Sequence, residues 1–189
     1  MADGNAGRDA LREEIVCKEP RFEGAVIRVE SWRVRLPDGS PALREVVVHP
    51  GGAAAVAVDA KGMVTLVRQH RPAVDELTLE IPAGKIEHPG EDPLACARRE
   101  LREEAGLSAA HWRLLTAMRP TPGFCDERIT LYLATGLSQG EARPDDGEFV
   151  RVERMPLREA VGRVLGGELR DGKTALGLLM ADRMLGDTI

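Results

Sequence analysis

The sequence predicts an α/β sandwich with a mixed β-sheet, preceded by a β-hairpin region. Three observations predict it. Short β-rich runs divided by Gly, Pro and Asp turn signals fill residues 25–81. A well-capped helix follows at 93–105. Further strands then precede two closing helices, so strand and helix do not alternate as they do around a parallel sheet.

Each element has its own signal. The first twenty residues are polar and are expected to lie outside the core, ahead of an N-terminal β region over 21–50 and a main domain over 51–189. Ala25–Val34 and Leu43–His49 read as strands hinged at Pro37-Asp38-Gly39. Ala53–Val58 and Met63–Val67 flank the turn signal Ala60-Lys61-Gly62, and Leu77–Ile81 leads into a loop over Pro82–Gly90. Asp92 offers an N-cap, Pro93 suits the first helical position and Gly106 offers a stop, which bounds a helix over 93–105. Strands are expected at Trp112–Met118, Arg128–Thr135 and Phe149–Arg154, divided by loops at 119–127 and 140–148, with helices at 157–165 and 173–185.

Composition narrows the function classes. The 189 residues carry 31 acidic against 26 basic side chains, a formal charge of -5. A chain of this length buries roughly 70% of its unfolded surface and needs no staples. No apolar run approaches the roughly 18 residues of a membrane span, and the start carries no basic flank or apolar stretch of a secretion signal, so a cytoplasmic protein without membrane contact is expected. Cys17, Cys96 and Cys125 are too few and scattered for a disulfide framework or a zinc site. Net acidity without a Lys/Arg cluster argues against a nucleic-acid partner, whose binding rests on phosphate neutralisation.

The chemistry concentrates in the helix at 93–105. At about 100° per residue, Leu94, Ala97, Leu101 and Ala105 form one apolar stripe. Glu100 and Glu104 stack on its flank with Glu103 beside them, so three carboxylates repel one another. A divalent cation with oxygen ligands would remove the conflict, and the Ala83-Gly84-Lys85 loop allows backbone to approach and offer a carbonyl to the same ion. The other reading is a solvated acidic face with Arg99 and Glu103 as an i,i+4 ion pair.

Loop and helix together resemble the Nudix box, G-x5-E-x7-R-E-U-x-E-E-x-G-U with U aliphatic. Glu91 and Arg99-Glu100-Leu101-Arg102-Glu103-Glu104-Ala105-Gly106-Leu107 match it, while six residues instead of five separate Gly84 from Glu91. Over residues 20–185, stretches such as Phe22-Glu23-Gly24, Val67-Arg68-Gln69-His70-Arg71 and Leu79-Glu80-Ile81-Pro82-Ala83-Gly84 look like the ADP-ribose pyrophosphatase branch of that superfamily. Pro122, about fifteen residues past the box, is a further mark of the branch.

The resemblance implies an α/β/α Nudix fold and a Mg²⁺- or Mn²⁺-dependent hydrolase splitting ADP-ribose into AMP and ribose 5-phosphate. Another nucleoside diphosphate sugar is the alternative substrate, and a nucleotide-sensing module that cleaves nothing is the non-enzymatic one. It implies Glu100, Glu104 and the Ala83 carbonyl as metal ligands, with Glu103 a further ligand. It also implies Arg71 and Arg44 on the diphosphate and Glu80 on the substrate's polar edge. Guanidinium forks suit phosphate oxygens, although Arg44 equally fits a cross-strand ion pair. For the base that activates water, the resemblance points to a late acidic loop, where Glu148 is the first candidate, Asp146 the second and Glu103 the competitor within the box. It further implies a homodimer exchanging its N-terminal regions. Trp32 would then stack on adenine or fill the core or dimer interface, and Phe124 is a weaker stacking candidate.

One motif misleads. Gly167-Glu168-Leu169-Arg170-Asp171-Gly172-Lys173-Thr174 spells a P-loop, but it follows a helical pattern where a P-loop follows a buried strand, and Glu168 and Asp171 would face the phosphates. Lys173 is expected to be a surface residue at a helix start. No GxSxG-type nucleophile motif accompanies the four histidines.

Overall fold

A computed structural model describes residues 10–143, 147 and 149–186. They form two compact units: the chain up to Pro50 with Thr121–Glu127, and Gly51–Pro120 with the chain from Arg128.

In the first unit, β1 (Glu14–Glu23), β2 (Arg28–Arg35) and β3 (Pro41–Val48) make an antiparallel sheet in chain order. From Glu14 the polar start is a strand, and its described residues stay out of the buried core. Its pairing rests on the backbone ladder and on cross-strand charge, with Glu19 2.6 Å from Arg33 and Glu14 3.4 Å from Arg35. Most of β1 remains exposed, so apolar patterning carries no sign of it. Thr121–Glu127 adds a short edge beside β3, where Val47 N–H donates to Phe124 O (2.7 Å) and Asp126 N–H to Val47 O (3.1 Å).

The second unit holds a seven-stranded sheet. Its elements are β4 (Gly52–Val58), β5 (Met63–Arg71), β6 (Glu76–Glu80), β7 (Ala83–Lys85), β8 (Leu107–Met118), β9 (Ile129–Gln139) and β10 (Arg151–Pro156). The main path runs β10-β5-β4-β9-β8, with β6 paired to β5 and β7 to β4. Only β4–β9 is parallel among these pairs, which makes the sheet mixed, as predicted.

β4 is buried throughout and built from alanine, glycine and valine. Its small side chains let helices close on both faces. Ala55 and Ala57 meet Leu101 and Ala105 of α1 (Pro93–Ala105). Ala54, Val56 and Val58 cluster with Leu157 and Ala160 of α2 (Leu157–Leu165) and Leu178 and Ala181 of α3 (Gly172–Gly186). Since neighbours along a strand point to opposite faces, the layers are α/β/α.

The remaining differences from the predicted elements are local. β8 begins at Leu107, directly after α1, and β9 runs on to Gln139. Ala109, Ala110 and Gly136 have weak strand preference, and pairing between β8 and β9 overrides it. Part of the expected 82–90 loop is the strand β7, held by β4. No helix among the described residues is long and apolar enough to cross a membrane.

Candidate active site

α1 begins where Asp92 accepts Leu94 N–H (3.3 Å) and ends at Gly106, whose φ of 64° is the left-handed conformation that glycine tolerates. Its buried stripe is wider than the apolar residues alone: Glu100 and Glu104, 8% and 2% exposed, turn inward with Cys96, Ala97, Leu101 and Ala105. The cause is β7, which brings backbone polar groups to that flank. Ala83 N–H donates to Glu104 Oε2 at 3.0 Å. A Cβ at Gly84 would sit 1.8 Å from Glu100 Oε1, so glycine is what leaves room for that carboxylate where it lies. Cys96 Sγ donates to Lys85 O (3.3 Å), and burial pushes its thiol up to about 12, which leaves it a neutral donor.

Arg99 lies among the carboxylates. Its Nη1 donates to Glu100 Oε1 (2.7 Å) and Glu103 Oε2 (3.1 Å), and its Nη2 donates to Lys85 O (3.1 Å). Glu87 and Glu91 each come within 3.6 Å. Burial would lower the Arg99 pKa, but the charge of Glu100 and the hydrogen bond to Glu103 outweigh it and raise the pKa. The extra residue between Gly84 and Glu91 is taken up in a turn, with Glu91 N–H on His88 O (3.0 Å) and Glu87 N–H on Glu91 Oε2 (2.7 Å). Glu91 still reaches Arg99. The i,i+4 pair of Arg99 and Glu103 forms, and Glu100 and Glu104 are buried, not solvated.

No three Asp, Glu, His or Cys side chains converge into a ready metal cage among the described residues. The donor set nevertheless fits a divalent cation. It offers hard oxygens from Glu100, Glu103, Glu104 and the adjacent Ala83 carbonyl, beside a backbone cradle that a Cβ would fill and around a place where positive charge already sits as Arg99.

A second cluster stands at the ends of β5 and β6. Arg71 Nε and Nη2 donate in parallel to Glu80 Oε1 and Oε2, both at 2.8 Å. Thr78 Oγ1 (2.6 Å) and Lys173 Nζ also donate to Glu80, which is 2% exposed. Burial alone would raise the Glu80 pKa, but Arg71, Lys173 and Thr78 bring it down to about 2. The Arg71 pKa is raised, chiefly by its hydrogen bond to Glu80, with burial opposing and with charge from Asp171 and Glu104 adding. Glu104 therefore links this cluster to α1.

Trp32 and Arg44 belong to the first unit and are register partners on β2 and β3, so they share one sheet face. Trp32 Nε1 donates to Glu30 (2.7 Å), Lys18 Nζ sits 3.9 Å above the indole ring, and Arg44 pairs with Glu13 at 2.5 Å. Phe124 is exposed. Glu148 and Asp146 lie outside the described residues.

Lys173 departs from expectation. It is 11% exposed and ion-paired to Glu80 and Asp171, because the start of α3 abuts the end of β6. The P-loop-like segment indeed follows α2, a helix, and not a strand.

Helices on both faces of a mixed sheet, with a buried carboxylate pair against a glycine-bearing edge and the Arg71–Glu80 cluster in the same unit, fit a metal-dependent hydrolase. The NUDIX domain model matches residues 48–175. The ADP-ribose pyrophosphatase of Bacillus subtilis is 40% identical over 89% of this chain and 92% of its own. The methanol dehydrogenase activator of Bacillus methanolicus is 38% identical over 89% of this chain and 91% of its own. A solved structure of an ADP compounds hydrolase shares the fold with a TM-score of 0.81 at 21% identity, covering 94% of this chain and 97% of that one. The chain belongs to the Nudix hydrolase family, whose ADP-ribose pyrophosphatases work with a divalent cation.

Proposed function

We propose that this hydrolase cleaves the diphosphate of ADP-ribose to AMP and ribose 5-phosphate with Mg²⁺, for which Mn²⁺ can substitute. The observation that carries the reading is the buried pair Glu100 and Glu104 set against Ala83 and Gly84. Support for the substrate comes from the name of the B. subtilis relative and from Pro122. The other relative's name states an effect on an enzyme and not a bond cleaved, so it does not choose among diphosphates.

Glu100, Glu103, Glu104 and the Ala83 carbonyl would hold the cation, which supplies positive charge for the diphosphate and lowers the pKa of bound water. Arg71 and Arg44 bind phosphate oxygens. Glu80 is buried and acts on the substrate's polar edge through Arg71. Glu148 takes the proton from the attacking water, with Asp146 and Glu103 as the other candidates. Hydroxide adds to one phosphorus, the bond to the bridging oxygen breaks, and that oxygen leaves on the second phosphate. The protein acts in the cytoplasm, in line with three free thiols, as a homodimer exchanging its N-terminal β regions.

The test is AMP release from ADP-ribose beside ADP-glucose, GDP-mannose and ATP, each with Mg²⁺ and with EDTA. Fast release from ADP-ribose that EDTA abolishes is the expected result. Cleavage of another sugar nucleotide instead would retain the chemistry and overturn the substrate, and silence on all four would favour a sensing module. Within this reading Trp32→Ala raises KM roughly five- to tenfold, the worth of one stacked base, and changes kcat less. An unaltered KM would leave Trp32 as a packing residue of the first unit.

A further inference from the structure

Two side chains of the P-loop-like segment reach the strand end that carries the partner of Arg71. Lys173 donates to Glu80 Oε2 and, at 3.1 Å, to Asp171 Oδ2. Thr174, fully buried, donates its hydroxyl to Asp171 Oδ2 (2.5 Å) and accepts Ile81 N–H (3.0 Å). Consecutive residues at the start of α3 thus grip consecutive residues at the end of β6, one through a side chain and one through the backbone. Glu80 in turn locks the Nε–Nη2 edge of Arg71, whose side chain is 42% exposed and whose Nη1 has no hydrogen bond to any described residue.

A guanidinium held along one edge presents the other edge in a single orientation. Stability alone does not account for a lysine here, because a buried ion pair rarely outperforms apolar residues of the same volume. Charge does account for it. Glu80, Asp171 and Arg71 together would carry one net negative charge where a dianion binds, and Lys173 cancels it.

We propose that Lys173 is a positioning residue for substrate binding: its ammonium fixes Glu80, so that Arg71 presents Nη1 to the diphosphate. This rests on Arg71 being a diphosphate ligand, as proposed above. Lys173→Met is expected to raise KM for ADP-ribose about tenfold, with kcat within about threefold, and to weaken binding of inorganic pyrophosphate in EDTA by a similar factor in calorimetry. In an Arg71→Lys background, where the two-pronged grip is already lost, it adds less than about twofold. Thermal melting verifies folding, and Lys173→Gln replaces the methionine variant if that one fails to fold. An unchanged KM and pyrophosphate affinity in a folded variant overturns the proposal, as does a full effect persisting beside Arg71→Lys. A parent protein that binds pyrophosphate but leaves ADP-ribose intact overturns the substrate instead, while the pyrophosphate measurement still decides Lys173.

Discussion

Glu104→Gln is expected to lower turnover at least about a hundredfold, because it would remove one ligand charge from the proposed cation site. The fold should survive. Glu104 is 2% exposed and accepts Ala83 N–H at 3.0 Å. A glutamine carbonyl accepts the same bond at the same distance, so β7 stays docked on α1 and the melting point moves by only a few degrees, as for a loss near 1 kcal/mol, about the usual effect of one substitution. Arg71 also loses a favourable neighbour in Glu104, but its grip on Glu80 is untouched. Steady-state kinetics over a Mg²⁺ series, with melting curves, provide the measurement. Near-normal turnover would sink the assignment of Glu104 as a ligand, and a collapsed melting transition would make the residue structural.

What the sequence makes legible here is what neighbours in the chain decide. The bounds of α1 can be read because Asp92 and Gly106 cap it through their own backbone conformations. The stacking of Glu100 on Glu104 follows from a spacing of four. Their burial does not follow, since it is produced by β7, and Ala83-Gly84-Lys85 has no strand preference until β4 pairs with it. Lys173 shows the same limit: a charged residue at a helix start reads as surface, and the carboxylate that buries it lies 93 residues away. β1 was hidden for another reason, because a strand held by backbone ladder and cross-strand charge leaves no apolar alternation.

The stretch from Glu80 to Ala83 is where these distant decisions meet. Thr174 of α3 holds Ile81 N–H, Ala55 of β4 donates to Pro82 O at 2.9 Å, and Glu104 of α1 accepts Ala83 N–H. Both helix layers and the central strand therefore fix one four-residue run. It carries the partner of Arg71 at one end and the expected carbonyl ligand at the other. The spacing between Arg71, the proposed diphosphate ligand, and the proposed cation site is thus set by rigid elements and not by a loop.

Gly84→Ala tests that rigidity from the backbone side. The added Cβ would lie 1.8 Å from Glu100 Oε1 and 2.1 Å from its carboxyl carbon. Those atoms are the tip of a flexible side chain, so Glu100 swings aside and gives up its 2.7 Å contact with Arg99 while the strand keeps its place. The cost to the fold is small, but the proposed ligand leaves its place. Turnover is expected to fall about a hundredfold, and the Mg²⁺ concentration for half-maximal activity to rise, with little change in melting. Gly162→Ala, in the middle of α2 with open space around its Cβ, is the control. It should stabilise the protein by about 0.5–1 kcal/mol and leave turnover alone, since alanine loses less backbone freedom in a helix than glycine does. Normal turnover and an unshifted Mg²⁺ requirement in a folded Gly84→Ala protein would remove Glu100 from the ligand set, because no position of its carboxylate compatible with that Cβ coincides with the one observed.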